Sequence, residues 1–318
     1  MKKRNITLSF YIIFCVFLFA EGKVSGKVFY NYTSAANGDN AFNMKRAYLT
    51  FANEVNESVF YKVTYDMGKN DVGSAHTAFL KIASVTWKTR FGDMSIGMQG
   101  MNMFKTMENT WGHRFIQKMP MDTYGFSPSA DLGLGFSRKI GSVSTSALLT
   151  NGPGYKKSEE DHHKKLSTHL VYGEPRLNKN KGFNIGSSFS LEPYNIEGKF
   201  KKERTVISFF SGYSGSGFRG GIELDIKHEY DEDLNDEIKR QIICTYGTYQ
   251  LSNKISILGR IDNFYPNINS EKTKTQSMIS GLNYKLDKGL TVAPTLRITT
   301  DENKTSTKSI VINFQFEF

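Results

Sequence analysis

The last ten residues, Ser309–Phe318, read SIVINFQFEF and alternate between apolar and polar side chains. One side of an extended chain carries Ile310, Ile312, Phe314, Phe316 and Phe318, and the other carries Ser309, Asn313, Gln315 and Glu317, with Val311 as the exception. Successive side chains of a β-strand point to opposite faces, so the stretch predicts a strand with one apolar face. Chain ends are usually polar and frayed, whereas this strand is aromatic up to Phe318. We therefore expect it to lie against the lipid of an outer membrane, as the closing strand of a barrel.

The rest of the chain repeats this pattern in runs of about ten residues separated by breaks. The runs are 27–32, 42–53, 57–67, 77–89, 93–99, 129–139, 142–150, 166–173, 182–192, 204–213, 217–229, 238–251, 253–264, 275–287, 289–300 and 307–318. They predict an all-β fold: a transmembrane antiparallel β-barrel of about 16 strands. Alternation alone also fits a soluble β-sandwich, in which the apolar faces pack on a second sheet.

The breaks between the runs distinguish the two folds. Short breaks such as 90–93, 139–142 and 214–217 alternate with long ones such as 68–76, 100–128 and 151–165. Transmembrane barrels have short periplasmic turns and longer external loops, which a sandwich has no reason to have. The break 174–181 is the exception, because it falls where a short turn is expected.

The first residues have the features of a secretory signal peptide. Lys2, Lys3 and Arg4 precede the apolar segment 6–19, and Ala20-Glu21-Gly22 places small residues before a cleavage point. We predict a signal peptide over 1–22 and a single barrel domain over 23–318. A membrane anchor is the alternative, but the apolar segment is short for one.

Composition agrees with a barrel. The mean hydropathy is negative, and after the N-terminus no run of about 20 apolar residues predicts a spanning helix. Aromatic residues and the 28 glycines suit strands, girdles and turns. The net charge is +10, to which Lys2, Lys3 and Arg4 against Glu21 contribute +2, leaving +8. This charge is spread along the chain, which argues against nucleic acid as a partner and favours lipid or anionic solutes.

The longest break, 100–128, is too apolar for an external loop. It contains five methionines and five aromatic residues: Met101, Met103, Phe104, Met107, Trp111, Phe115, Met119, Met121, Tyr124 and Phe126. We expect this loop, which follows strand 5, to fold inward and pack on the barrel wall. Its polar residues would then form a pore constriction: Lys105, Glu108, His113, Arg114, Lys118 and Asp122. The alternatives are an external lid or a flap at a subunit interface.

These features, together with two stretches of sequence, resemble a known family. Residues 87–97, WKTRFGDMSIG, and residues 129–133, SADLG, are similar to the phosphate-selective porin family. The resemblance implies an outer-membrane channel, trimers, anion preference and a terminal Phe that acts as an assembly signal. The dense ladder of Arg and Lys typical of that family is not evident in this sequence.

If the apolar faces contact lipid, a further set of charged side chains faces the lumen. The basic ones are Arg46, Lys62, Arg219, Lys227, Arg260 and Arg297, and the acidic ones are Asp66, Asp131, Glu192, Glu223, Asp225, Asp262 and Glu317. Opposed charges on facing walls tune ion selectivity. Because the two signs nearly balance, we expect only a mild anion preference, to which Arg114 and Lys118 would add.

Motifs for other chemistry are weak. Gly215-x-Gly217-x-x-Gly220 matches a dinucleotide fingerprint in its letters but opens a strand, so it is interpreted as a turn. The six histidines show no spacing that indicates a catalytic or metal site. The sequence predicts passive diffusion of small hydrophilic solutes, with no enzyme activity and no cofactor. A barrel enzyme or adhesin, and a soluble secreted β-protein, remain the alternatives.

Overall fold

The computed structural model describes residues 22–35, 40–69, 76–159, 162–195, 201–269 and 274–318. The predicted signal peptide, apart from Gly22, lies outside these residues. No helix among the described residues is long and apolar enough to cross a membrane.

Within these ranges the chain forms sixteen strands and two short helices. The strands are β1 (Lys23–Ala35), β2 (Asn40–Glu54), β3 (Val59–Gly68), β4 (Thr77–Thr89), β5 (Gly92–Gly100), β6 (Ala130–Ile140), β7 (Val143–Thr150), β8 (Lys165–Gly173), β9 (Gly182–Tyr194), β10 (Lys202–Gly215), β11 (Phe218–Asp231), β12 (Asp236–Gln250), β13 (Ile255–Tyr265), β14 (Thr275–Asp287), β15 (Leu290–Thr300) and β16 (Ser306–Glu317). The helices, α1 (Lys105–Trp111) and α2 (Pro120–Thr123), both lie between β5 and β6.

The sixteen predicted runs correspond to these strands in the same order, and the predicted barrel is confirmed. The largest difference is at β1, which extends beyond the predicted 27–32 to Lys23 and Ala35. Its start, KVSG, lacks a run of apolar residues, so pattern alone does not mark it as a strand. Pairing with β2 extends it, because Lys23 lies opposite Ala52.

The barrel is closed between the first and last strands. Each strand pairs antiparallel with its sequence neighbours, and β1 pairs with β16 from Lys27 opposite Glu317 to Ala35 opposite Ser309. Two backbone hydrogen bonds, of 3.0 and 3.1 Å, join Gly26 to Phe318 beyond this ladder. Closure leaves no edge of unpaired backbone groups, which the lipid interior requires.

The alternation of side chains sorts each strand into an outer apolar face and an inner face. In β16, Ile310 and Phe316 are 58% and 44% exposed, whereas Val311 and Asn313 are 3% and 0% exposed. Val311, the exception in the sequence pattern, thus lies on the inner face. An outward-facing apolar band of this kind is the surface that a transmembrane barrel presents to lipid.

The two ends of the barrel differ. Connections after even-numbered strands form what we call the short-turn end, and connections after odd-numbered strands form the long-loop end. At the short-turn end, Ser216 and Gly217 connect β10 to β11 with φ values of 52° and 80°. Positive φ at both positions is the signature of a tight hairpin turn. This confirms that the Gly215-x-Gly217-x-x-Gly220 motif lies at a turn between two strands.

Candidate functional site

The loop between β5 and β6, residues 101–129, folds into the barrel as predicted; we call it the constriction loop. Its large apolar side chains are almost completely buried, with exposures of 4% or less for Met101, Met103, Phe104, Met107, Trp111, Phe115, Ile116, Met119, Met121 and Phe126. Burial of one such side chain contributes roughly 1.5–3 kcal/mol. This apolar side packs on inner-face residues such as Val206, Phe210 and Ile242, which explains why the sequence of the loop is so rich in Met and aromatics.

Basic side chains of the wall hold the irregular parts of this loop. Lys45 donates from Nζ to the carbonyl oxygens of Phe115 and Ile116 at 3.3 and 3.0 Å. Arg297 donates from Nη2 to the same Ile116 oxygen at 2.5 Å and from Nη1 to Gln117 Oε1 at 3.0 Å. Buried carbonyl groups outside regular structure need such donors. These cations therefore fix the position of the loop.

Three further wall residues donate to loop carbonyl oxygens. Arg219 reaches Trp111 at 3.2 Å, Lys227 reaches Gly125 at 3.0 Å, and the Tyr246 hydroxyl reaches Met107 at 3.3 Å. Together with Lys45 and Arg297, these donors contact the loop from its first helix to its end.

Two histidines take part in the same packing. His113 Nε2 lies 3.0 Å from Thr248 Oγ1, and its ring meets Trp111 edge-on with a centroid distance of 5.1 Å. Burial, together with the charge of Arg219, lowers the pKa of His113 to about 3. His169 contacts Thr106 and Ser188 at 2.8 and 2.7 Å. His113, predicted at the constriction, is therefore a neutral buried contact between loop and wall.

The polar side of the constriction loop carries a network of five charged residues. Glu108 binds Lys105 at 3.0 Å and also Arg114, and Asp122 binds Arg114 and Lys118 at 3.0 and 3.3 Å. Burial alone would raise the pKa of Glu108, but Arg114 and Lys105 outweigh it and lower the pKa to about 2. The five residues predicted from the loop sequence are thus brought together, with three positive and two negative charges.

Two cations of the barrel wall opposite this network lie at β-bulges. In the pairing of β1 with β2, Phe29 lies opposite Arg46 and Tyr30 opposite Met44, which leaves Lys45 as an extra residue. In the pairing of β3 with β4, Thr64 lies opposite Ile82 and Tyr65 opposite Leu80, which leaves Lys81 extra. A bulge shifts the alternation by one residue. Neighbouring positions can then face the same side, and both extra lysines lie on the inner face.

A carboxylate and two aromatic rings hold these cations in place. Asp66, which is fully buried, binds Arg46 at 3.3 Å and Lys81 at 3.5 Å, and it accepts a 2.6 Å hydrogen bond from the Tyr155 hydroxyl. Lys81 Nζ also lies 5.1 and 5.2 Å from the ring centroids of Tyr48 and Tyr155. Aromatic faces attract ammonium groups at such distances, so the two rings and Asp66 hold Lys81 in position on the wall.

Two cavities lie along this wall, one at each end of the barrel. The outer cavity, about 350 Å³, opens toward the long-loop end and is lined by Phe29, Asn31, Asn43, Met44, Lys45, Arg46, Tyr48, Lys69, Arg114 and Lys118. The inner cavity, about 610 Å³, extends toward the short-turn end and includes Lys27, Tyr48, Lys62, Lys81, Lys105, Glu108, Arg114 and Glu317 in its lining. Tyr48 and Arg114 line both cavities. The two cavities therefore adjoin where Arg114 of the loop faces Tyr48 of β2.

Positive charge dominates the linings of these two cavities. The two linings contain two acidic side chains, Glu108 and Glu317, against nine cationic ones: Lys27, Lys45, Arg46, Lys62, Lys69, Lys81, Lys105, Arg114 and Lys118. Including the paired carboxylates Asp66 and Asp122 raises the acidic number to four. The near balance expected from sequence thus does not hold along the cavities.

The other predicted lumen residues lie elsewhere on the inner face. Arg219 and Arg297 contact the constriction loop, as described above. Arg260 is buried beneath it, bound to Asp262 at 2.7 Å, with the Trp111 ring centroid 5.4 Å away. Only Arg46 and Lys62 of the six predicted wall cations line the two cavities. Sequence reasoning missed Lys45, Tyr48 and Lys81, and for the two lysines the reason is the bulges.

No group of three His, Cys, Asp or Glu side chains placed to hold a metal ion occurs in the described part of the chain.

Proteins of known structure share the architecture at low identity. The anion-selective porin from Comamonas acidovorans is 11% identical with a TM-score of 0.69, and the match covers 94% of this chain and 99% of that one. OmpT of Vibrio cholerae, in-vitro folded and in its trimer form, is 12% identical with a TM-score of 0.66 and coverages of 93% and 99%. Salmonella typhi OmpF, in complex with daunomycin, is 10% identical with a TM-score of 0.69 and coverages of 93% and 97%.

At these identities the likeness concerns the fold. A search of curated protein sequences gives no match. The model of one sequence family, described as phosphate-selective porin O and P, matches residues 20–190, which is more than half of the chain. The chain therefore belongs to this porin family and is a channel-forming barrel of the Gram-negative outer membrane.

Proposed function

We propose that the protein is a passive diffusion channel for small hydrophilic solutes that prefers anions. The pore runs between the polar side of the constriction loop and the wall formed by β1–β4. Its narrow point lies between Arg114 and Tyr48, where the outer and inner cavities meet. The observation that carries the proposal is the excess of nine cations over two carboxylates along the two cavities.

The physical basis is the electrostatic potential inside a narrow, low-dielectric passage. A lining of one sign raises the local concentration of the opposite ion and lowers its barrier to entry. The lysines and arginines are spread over both cavities, so an anion meets successive weak sites. Weak sites in series favour passage over tight binding, as conduction requires.

The proposal includes no catalytic step. The two histidines nearest the pore, His113 and His169, are buried in contacts with Thr248, Thr106 and Ser188. Their imidazoles hold the loop against the wall and do not line the outer or inner cavity, which supports a channel over a barrel enzyme.

We further propose that the channel is a trimer. The family resemblance supports this, and the outer apolar belt provides a surface that can be shared between lipid and neighbouring subunits. Sedimentation of the full-length protein in detergent measures the mass directly. A protein mass of three chains is expected, and the mass of one chain would contradict the trimer.

The test of ion preference is the reversal potential of the purified protein in a planar bilayer under a KCl gradient. We expect the reversal potential to shift toward the chloride equilibrium potential. A value at zero, or one shifted toward the potassium equilibrium potential, would overturn the proposed preference. Absence of discrete conductance steps would overturn the proposal that the protein is a diffusion channel.

A further inference from the structure

Two carboxyl groups lie beneath the constriction loop on the inner face of β11, and we call them the buried acid pair. Glu223 and Asp225 are separated by one residue of the strand, and both are 0% exposed. Neither oxygen of Glu223 has a hydrogen-bond partner among the described residues. Asp225 accepts a 2.5 Å hydrogen bond from the Ser208 hydroxyl through Oδ1, but its Oδ2 has no such partner. Unsatisfied buried polar groups are rare in native proteins and indicate a missing partner.

The acid pair lies against side chains that contact the constriction loop. In the structure α1 packs on β10, β11 and β12, a position of the loop that we call seated. The Tyr246 hydroxyl of β12, which faces both carboxyl groups, donates to the Met107 carbonyl oxygen of α1 at 3.3 Å. Met107 itself is 1% exposed. The seated loop therefore covers the acid pair and separates it from water.

Among the described residues of this region, a single cation faces three carboxyl groups. Arg260 of β13 binds the third of them, Asp262, through Nε and Nη2 at 2.7 and 2.8 Å. Neither member of the acid pair forms an ion pair within the described ranges. Ionisation of all three groups would leave two buried negative charges without compensation. Burial of an unpaired charge is so unfavourable that a carboxyl group takes up a proton instead.

The other ionisable groups around the pair do not change this balance. The next inward residue of β11, Lys227, is bound to Glu229 at 2.8 Å and to the Gly125 carbonyl oxygen at 3.0 Å. From β10 the pair meets only the neutral hydroxyl of Ser208. The remaining groups are thiols and phenols, which cannot carry a positive charge: Cys244 and Tyr246 on β12 and Tyr124 on the constriction loop.

We propose that the buried acid pair is a proton-binding site that couples the position of the constriction loop to pH. At least one proton is held by Glu223 and Asp225 while the loop is seated. When the loop unseats, water reaches the pair, both carboxyl groups ionise and the proton passes to the solvent. The seated form binds more protons, so its population relative to the unseated form falls as pH rises, by up to about tenfold per pH unit for each proton released. The consequence for ion flow, a wider pore at alkaline pH, rests on the proposed channel function.

The emission of Trp111 reports the position of the loop, because the chain has only one other tryptophan, Trp87. Trp111 is 1% exposed, whereas Trp87 lies exposed on β4. In the Trp87→Phe protein, folded in detergent, we expect the emission maximum of Trp111 to move to longer wavelength between pH 6 and pH 10. Adding Glu223→Gln/Asp225→Asn replaces the pair by amides of the same shape, which release no proton, so this shift should disappear.

A matched control neutralises two exposed carboxyl groups instead. Trp87→Phe/Asp93→Asn/Asp287→Asn should respond to pH as Trp87→Phe does, because Asp93 and Asp287 are exposed. An emission maximum that stays constant in Trp87→Phe, or that moves equally in the amide variant, would overturn the proposal. The first of these results does not depend on whether the amide variant folds.

Single-channel conductance separates the proton site from the channel function. The wild-type conductance should rise over the same pH range, whereas that of Glu223→Gln/Asp225→Asn should stay constant. A shift in Trp111 emission without a change in conductance would overturn the link between the proton site and the pore. A protein without discrete conductance steps would contradict the channel function alone, since the emission of Trp111 tests the proton site independently.

Discussion

Arg297 provides the sharpest test of how the constriction loop is held. The change Arg297→Met removes two hydrogen bonds to the loop, to Ile116 O at 2.5 Å and Gln117 Oε1 at 3.0 Å. It keeps an unbranched apolar side chain on the inner face. The barrel ladder itself is untouched, since β15 pairs with both neighbours through its backbone.

The magnitude follows from these two bonds. Hydrogen bonds from a charged donor contribute about 1.5–3 kcal/mol each. Arg297 is only partly buried, so the lower value applies and the two bonds together give about 3 kcal/mol. That energy corresponds to roughly a hundredfold change in the ratio of seated to unseated loop. Lys45 still holds the Phe115 and Ile116 carbonyl oxygens, so the loop loosens locally but does not leave the barrel.

Hydrogen exchange measures this ratio directly. The amides of Ile116 and Gln117 donate to the His113 carbonyl oxygen at 2.9 and 3.1 Å, and they should exchange roughly a hundredfold faster in Arg297→Met. Arg297→Lys is the matched control, because it keeps the charge but loses the forked donor geometry. We expect an intermediate effect for it. Unchanged protection of both amides in Arg297→Met would refute the idea that wall cations hold the loop.

Two other predictions concern the pore-facing side of the loop. Deleting 104–120 removes α1 and Arg114, the loop's residue at the narrow point, so single-channel conductance should rise, and an unchanged conductance would place the constriction elsewhere. Glu108→Gln removes one of two carboxylates from the cavity linings, so the chloride-to-potassium permeability ratio should rise at pH 7. Because Arg114 and Lys105 lower the pKa of Glu108 to about 2 against the effect of burial, the wild type keeps this charge at pH 4. The difference between the two proteins should therefore persist at pH 4, and its loss there would contradict the lowered pKa.

The fold could be predicted from the sequence because its determinants are local. Alternation along each strand and turn residues between strands fix a hairpin without knowledge of the rest of the chain. The inward position of the constriction loop could also be predicted from the sequence, because its methionines and aromatic residues need buried packing partners. Its charged residues Lys105, Glu108, Arg114, Lys118 and Asp122 form one network, as their positions within a single loop allow.

The sequence could not predict which cations of the barrel wall contact the constriction loop and which line the cavities. Whether an inward arginine meets the loop or the open cavity depends on which strands the loop packs against, and that is a long-range property. Arg219 and Arg297 contact the loop, whereas Arg46 lines the outer cavity. The bulges at Lys45 and Lys81 shift the alternation by one residue and have no signal in either sequence pattern.

The role of the wall cations in ion selection is tested by the permeability ratio of Lys45→Gln/Lys81→Gln, taken from the reversal potential in a KCl gradient. These two lysines lie at the bulges and line the outer and inner cavities. Lys88→Gln/Lys288→Gln is the control for a general loss of positive charge. We predict a lower chloride-to-potassium permeability ratio in the double bulge variant, which keeps seven of the nine cations, and an unchanged ratio in the control. An unchanged permeability ratio in the bulge variant would contradict the claim that cations on the β1–β4 wall select the ions.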